Sequence, residues 1–359
     1  MSAFEPGIRD DNGHNQTTGV RALFTKRALT PDSLEEARMQ GGSPLEKLPV
    51  GKDSDRAALD RARQALGTII LGKDSQIALA LACLIARGHL LIEDLPGLGK
   101  TMLAQALARV LGLSFRRIQF TSDLLPADIV GVSVFRQEKG EFEFQPGPVF
   151  SQLVLADEVN RATPKAQSAL LESMEEYQVS VDGNTRPLPE PFFVVATQNP
   201  ADQIGTFPLP ESQLDRFLMR LELGYPNEDN ERELITGEDR RAMLDEIDAV
   251  ATPDVLLALQ ESAANMHMSD PLVDYVQALV RQTRESPDID IGLSPRGALA
   301  LVAAARAHAF VEHHSGVYPD DIQAVFAAIA GHRLKPAGNT THRSAADLCQ
   351  HVLDTVAIP

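Results

Sequence analysis

The stretch that decides the fold is Asp94-Leu-Pro-Gly-Leu-Gly-Lys-Thr101. It follows a short apolar run, residues 89–93 (HLLIE), and precedes Leu103, Leu107, Val110 and Leu111 at helical spacing, so it reads as a turn from strand into helix. Such a turn cradles phosphate when consecutive backbone N–H groups converge on the anion. Gly97 and Gly99 remove Cβ atoms where the loop must close on its ligand. Lys100 supplies charge for the β- and γ-phosphates, and the Thr101 hydroxyl is a candidate Mg²⁺ ligand. The helix opening there turns its positive dipole end to the anion. Pro96, Gly97, Leu98, Gly99, Lys100, Thr101 and Met102 are therefore the candidate nucleotide-binding residues. The strict pattern asks for glycine at its first position, where this chain has Asp94. That residue marks the strand exit and lies outside the cradle, so a return to glycine is expected to be mild.

A second motif lies downstream. Leu153-Val-Leu-Ala-Asp157-Glu158 is an apolar strand ending in two carboxylates. Asp157 is expected beside the phosphates as a Mg²⁺ residue, and Glu158 as the group that polarises water for attack on the γ-phosphate. An apolar run ending in acids is weak alone; on a separate strand after a phosphate loop it becomes specific.

Between and beyond these motifs the chain alternates helix and strand. Residues 114–119, 152–156, 192–197 and 217–223 read as further strands, with helical segments between several of them. That alternation predicts an α/β fold with a mostly parallel sheet covered on both faces. After Pro226 the strands stop and amphipathic helices follow, for example over residues 271–284. The expected domains are a disordered arm at 1–54, an α/β core at 55–225 and a helical domain at 226–335. A C-terminal tail at 336–359 completes the map.

Together the motifs resemble those of the AAA+ ATPases, and within them the MoxR family, over roughly residues 55–335. Phe193-Val-Val-Ala-Thr-Gln-Asn199-Pro resembles the family's sensor 1 strand, which implies that Asn199 holds the attacking water. Leu209-Pro-Glu-Ser-Gln-Leu-Asp-Arg216-Phe resembles its arginine-finger segment, which implies that Arg216 acts on a neighbouring subunit's nucleotide. Leu293-Ser-Pro-Arg296-Gly-Ala-Leu resembles sensor 2. Asp157-Glu-Val-Asn-Arg161-Ala matches the extended acidic motif, with Val159 where isoleucine is more usual. The implied fold is a five-stranded parallel P-loop core followed by a small all-helical lid.

Each transferred residue also has a plain structural reading. Asn199 can cap the turn before Pro200, and Arg216 can pair with Asp215 or Glu222 in its own subunit. Arg296 is more telling. Ser294 reads as an N-cap and Pro295 as the first helical residue. An arginine in that first turn opposes the helix dipole, and a nearby anion, with the γ-phosphate as the candidate, would resolve the conflict. Arg216 precedes its strand while Glu158 and Asn199 follow theirs, so Arg216 is expected at the opposite edge of the sheet.

Insertions at 120–150 and 177–190 refine the resemblance. The second, Gln178-Val-Ser-Val-Asp-Gly-Asn184, alternates into a hairpin turn. Magnesium-chelatase ATPase subunits, sigma-factor-54 activators and minichromosome-maintenance helicases resemble the chain here. The activators' GAFTGA loop is absent. The resemblance implies ATP and Mg²⁺ as cofactors, a homo-oligomeric ring, a hexamer, and a von Willebrand factor A-domain partner for maturing client proteins. A chelatase-type motor and a nucleotide-dependent scaffold with little turnover remain as alternatives.

Composition narrows the class. The chain has 359 residues, 43% hydrophobic and 23% charged, with Lys+Arg 33 against Asp+Glu 50 and a net charge of −17. Counterion-releasing nucleic-acid binding needs a basic surface, so no nucleic-acid partner is expected. The two cysteines, Cys83 and Cys349, form no metal or redox spacing, and Cys83 reads as packing. The adjacent His313 and His314 read as a solvated helix face. Glu5 and Asp10 with no apolar run after them argue against a signal peptide. No stretch reaches the length of a spanning helix. A cytoplasmic setting is expected, with membrane contact only through a partner.

Overall fold

Alternation within short strands builds the core. In the run Leu90–Glu93, Leu90 and Ile92 pack into one buried cluster and Leu91 into another. Leu153 and Leu155 likewise oppose Val154 and Ala156, and Phe193 and Val195 oppose Val194 and Ala196. Side chains along a strand point to opposite faces, so three strands whose successive apolar residues are buried on both faces require a sheet covered on both sides.

The computed structural model describes residues 52–199, 206–338 and 344–359. The arm expected at 1–54 lies outside the described residues except for 52–54, which open the first helix. Helices α1 (Lys52–Ile69) and α2 (Asp74–Ile85) precede β1 (Leu90–Glu93), and α3 (Lys100–Val110) leads to β2 (Phe115–Gln119). A short helix α4 (Pro126–Val130) and the hairpin β3 (Gly131–Arg136) and β4 (Glu141–Pro146) come before β5 (Leu153–Asp157). Helix α5 (Pro164–Glu176) and a second hairpin, β6 (Gln178–Val181) and β7 (Asn184–Pro187), come before β8 (Phe193–Gln198). The core closes with α6 (Glu211–Leu214) and β9 (Met219–Leu221).

The five-stranded sheet runs β2-β5-β8-β1-β9, every neighbour parallel. All strand ends that carry acids or amides therefore share one edge. The buried face of α3 is the predicted one, with Leu103, Leu107 and Val110 fully enclosed. Cys83 sits in the core of α2 as expected, and burial pushes its thiol above the ordinary range. In the first hairpin Phe135 faces Phe142 across the strands, ring centroids 5.3 Å apart, and both rings stay exposed. The second turns tightly through Asp182 and Gly183, both at positive φ, as a two-residue hairpin requires.

The helical region comprises α7 (Glu228–Thr236), α8 (Arg240–Glu246), α9 (Pro253–Ala264), α10 (Asp270–Glu285), α11 (Pro295–Val311) and α12 (Pro319–Ala330). Its apolar side chains, such as Leu279, Leu301 and Phe326, join the cluster on the Leu90–Ile92 face. Ser294 caps α11 as predicted, accepting the Gly297 N–H at 3.1 Å. The region is not wholly helical. An antiparallel pair, β10 (Ile289–Ile291) and β11 (Lys335–Pro336), bridges it.

The stretch expected as a C-terminal tail instead holds α13 (Ala345–Thr355), which buries Leu348, Cys349 and Val352. Ser344 and Asp347 form a capping box at its start, a local signal that a polar composition obscured. The histidine pair also differs from expectation. It lies in the turn after α11, where His313 meets Asp60 and His314 Nδ1 lies 3.0 Å from Asp321, a fully buried carboxylate. No helix among the described residues is long and apolar enough to cross a membrane.

Candidate nucleotide site

The loop between β1 and α3 is built for an anion. Gly97 and Gly99 hold φ values of 86° and 88°, and a Cβ at either would meet nothing within 4 Å, so the cradle stands open. Lys100 begins α3 and is 8% exposed. Its Nζ donates to the Asp94 carbonyl, to the Leu95 carbonyl at 3.2 Å and to Asn199 Oδ1 at 3.0 Å. Burial pushes its ammonium below the ordinary lysine value, against the opposing pull of Asp94, Asp157 and Glu158.

The β5 end delivers the acids. Asp157 is 6% exposed and receives the Thr197 hydroxyl on one oxygen. Its other oxygen takes Arg117 Nη2 at 2.6 Å and lies 3.5 Å from Thr101 Oγ1. Glu158 adopts φ 56°, a left-handed conformation that costs a non-glycine residue about 1 kcal/mol. Its N–H donates to Thr197 Oγ1 at 2.9 Å. Its carboxylate is held by Asn199 Nδ2 at 3.2 Å, Gln119 Nε2 at 3.0 Å and Arg161 Nη1 at 2.8 Å. Thus Lys100, Thr101, Asp157, Glu158 and Asn199 meet at one sheet edge.

Asp94 points away from the cradle, as expected, but it is not idle. Its Oδ2 accepts the Leu223 N–H at 2.8 Å and the Gly224 N–H at 2.7 Å, while Oδ1 accepts the Leu95 N–H at 2.8 Å. It ties the loop to the exit of β9.

Arg216 and Arg296 lie elsewhere. Arg216 Nη2 is 2.7 Å from Glu175, and its Nη1 donates to the Leu171 carbonyl. Arg296 Nη2 is 2.9 Å from the other oxygen of Glu175, and Nη1 is 3.8 Å from Asp215. Glu175 lies in the last turn of α5 beside Met174, whose carbonyl contacts His89 at the entry of β1. The arginines therefore flank the strand-entry edge, on the order of 15 Å along β1 from the phosphate loop. The anion beside Arg296 is a carboxylate of its own chain. Arg216 does pair within its chain, but with Glu175 rather than Asp215 or Glu222.

Three supporting residues escaped the sequence reading. Thr197 joins both acids from the neighbouring strand, and Arg117 and Gln119 reach Asp157 and Glu158 from one face of β2. The i, i+2 spacing of Arg117 and Gln119 carried that signal, since such residues share a face.

This is the layout of a AAA+ ATPase module with its lid. Residues 89–219 match the model described as "ATPase family associated with various cellular activities (AAA)", and residues 281–352 match the AAA lid domain. The chain is 41% identical over 341 residues to Chaperone MoxR1 of Mycobacterium tuberculosis, covering 88% of each. It is 43% identical over 303 residues to YeaC of Bacillus subtilis (strain 168), covering 84% of this chain and 95% of that one. A crystal structure of a Cytophaga hutchinsonii protein superposes with a TM-score of 0.77 at 36% identity, covering 85% of this chain and 96% of that one. The chain belongs to the MoxR family of AAA+ ATPases.

The Mg²⁺ that this family implies prefers oxygen ligands and usually keeps substrate phosphates and waters among them. The facing Thr101 hydroxyl and Asp157 carboxylate supply such oxygens beside the cradle, so these residues fit the ion.

Proposed function

We propose that this protein hydrolyses ATP as a ring, a hexamer, in the cytoplasm, and spends the turnover on remodelling or maturing a client protein complex. The observation that supports turnover best is Asn199, whose amide touches Lys100 on one side and Glu158 on the other. One rigid side chain so links the residue that grips phosphate to the residue that activates water. Lys100 neutralises the β- and γ-phosphates, and the N–H groups from Gly97 to Met102 wrap them. Thr101 and Asp157 would hold Mg²⁺, which supplies further charge neutralisation. Glu158, held by its donors, orients the attacking water and accepts its proton. Arg216 and Arg296, at the strand-entry edge, face the γ-phosphate of the next subunit, where an added cation stabilises the charge of the transition state. Family membership supports a chaperone role, and a von Willebrand factor A-domain protein is the proposed partner.

The test is Glu158→Gln. Its ATP affinity should match the parent while steady-state phosphate release falls by about 10²–10⁴-fold, the usual worth of a general base. Turnover within threefold of the parent would refute the assignment. The trapped ATP state is also the bait for recovering client and partner.

A further inference from the structure

Arg333 lies just beyond α12, and its side chain is 5% exposed. Nearly everything it binds is in one place. Its Nε donates to Asp215 Oδ1 at 2.6 Å, and its Nη2 to the Asp215 and Phe217 carbonyls at 3.2 and 2.7 Å. Its Nη1 donates to the Leu218 carbonyl at 3.1 Å and to the Ile329 carbonyl at 2.6 Å. Residues 215, 217 and 218 bracket Arg216. The second oxygen of Asp215 looks toward Arg296.

Taking a guanidinium out of water is expensive unless every donor finds a partner. Here the planar fork places four of these five hydrogen bonds on the segment that presents Arg216 and the fifth on α12, which a lysine's single point charge could not do. The same guanidinium fixes Asp215, and so the acid that faces Arg296. We propose that Arg333 is a positioning residue for the pair Arg216 and Arg296, coupling the lid to the charge that one subunit offers its neighbour's nucleotide. The proposal rests on the reading that those two arginines act across the subunit interface.

The experiment measures steady-state phosphate release on the full chain, with ATP affinity by calorimetry. Arg333→Met removes every donor, and kcat should fall at least about tenfold, in the range seen when a transition-state donor is displaced, with ATP affinity unchanged. Mixed rings are made by co-expressing differently tagged variants and purifying over both tags. With Lys100→Ala as partner, random assembly pairs an intact pocket with an intact arginine at about one interface in four, so turnover should recover to about a quarter of the parent's. With Arg216→Ala as partner no interface has both, and turnover should stay at the level of the single variants. The control is Lys100→Ala with Arg216→Ala, which should recover in the same way.

Recovery with the Arg216→Ala partner would overturn the proposal, because the Arg333 defect would then lie in its own pocket. A dead Lys100→Ala mixture beside a recovering control would overturn it too, as general damage to the fold. A dead control refutes the shared-site reading itself, and this proposal falls with it. If Arg333→Met does not fold, Arg333→Lys keeps the charge without the fork and should show the same pattern of rescue.

Discussion

Replacing Asp94 by glycine restores the residue that the phosphate-loop pattern asks for, and the structure makes it the damaging choice. The Asp94 carboxylate accepts three backbone N–H groups, of which the Leu223 and Gly224 bonds are part-buried and the Leu95 bond is exposed. A hydrogen bond to a charged group contributes about 1.5–3 kcal/mol. Discounting the exposed bond and taking the lower figure for the other two gives a loss of about 3 kcal/mol for Asp94→Gly. The freer unfolded chain that glycine allows adds about 0.5–1 kcal/mol. Asp94→Asn keeps an acceptor oxygen and should lose roughly half as much. Urea unfolding of the nucleotide-free protein, followed by circular dichroism, reads the stability. ATP affinity should hold within threefold in Asp94→Asn, since the side chain lies outside the cradle. A stability loss below about 1 kcal/mol in Asp94→Gly would refute the reasoning, because the bonds to β9 would then be worth no more than solvent contacts.

Lys100→Ala should weaken ATP binding by at least about 100-fold in calorimetry, since it removes the cation proposed to neutralise the β- and γ-phosphates. Thr197→Val keeps the shape of the side chain but unpairs an Asp157 oxygen and the Glu158 N–H, so it should cost about 1–3 kcal/mol in urea unfolding. Turnover should fall at least tenfold with it, and wild-type turnover would show that the acids need no tie to β8. His89 is locked neutral in the core, Nδ1 accepting from Val194 and Nε2 donating to Met174, and burial lowers its pKa from 6.5 to about 4. The unfolded chain therefore binds the extra proton first, so stability is full above about pH 6.5 and falls by about 3 kcal/mol as pH drops toward 4. Buried His332 pushes the same way; a His89→Leu variant whose stability falls as steeply with acid as the parent's would contradict this.

What could be read from the sequence was contiguous. The phosphate loop, the paired acids and Asn199 each end or follow a strand, and a short apolar run is enough to locate them. The parallel order followed because β1, β5 and β8 each carry three or four consecutive apolar residues before their polar ends, which a doubly covered sheet explains. The partners were not legible, since they arrive from far along the chain. Glu175 meets Arg296 across 121 positions, and Arg333 meets Asp215 across 118. The first turn of α11 announced that Arg296 needs an anion, but only the tertiary path showed that Glu175 of α5, with Asp215 nearby, supplies the carboxylates there. Asp94 was placed correctly as outside the cradle. Its weight lay in two N–H groups more than a hundred residues on, which no local pattern encodes.

Glu175 gives a solitary subunit something unusual, a resident counter-ion for both arginines. Neither guanidinium stands bare while it waits. If the two arginines reach a neighbour's nucleotide as proposed, a phosphate has to displace this carboxylate. An empty neighbour, with no phosphate to offer, leaves the carboxylate in possession. On that proposal the interface would tell a loaded subunit from an unloaded one by competition between two anions for the same pair of cations, and position 175 would set how hard the nucleotide must compete.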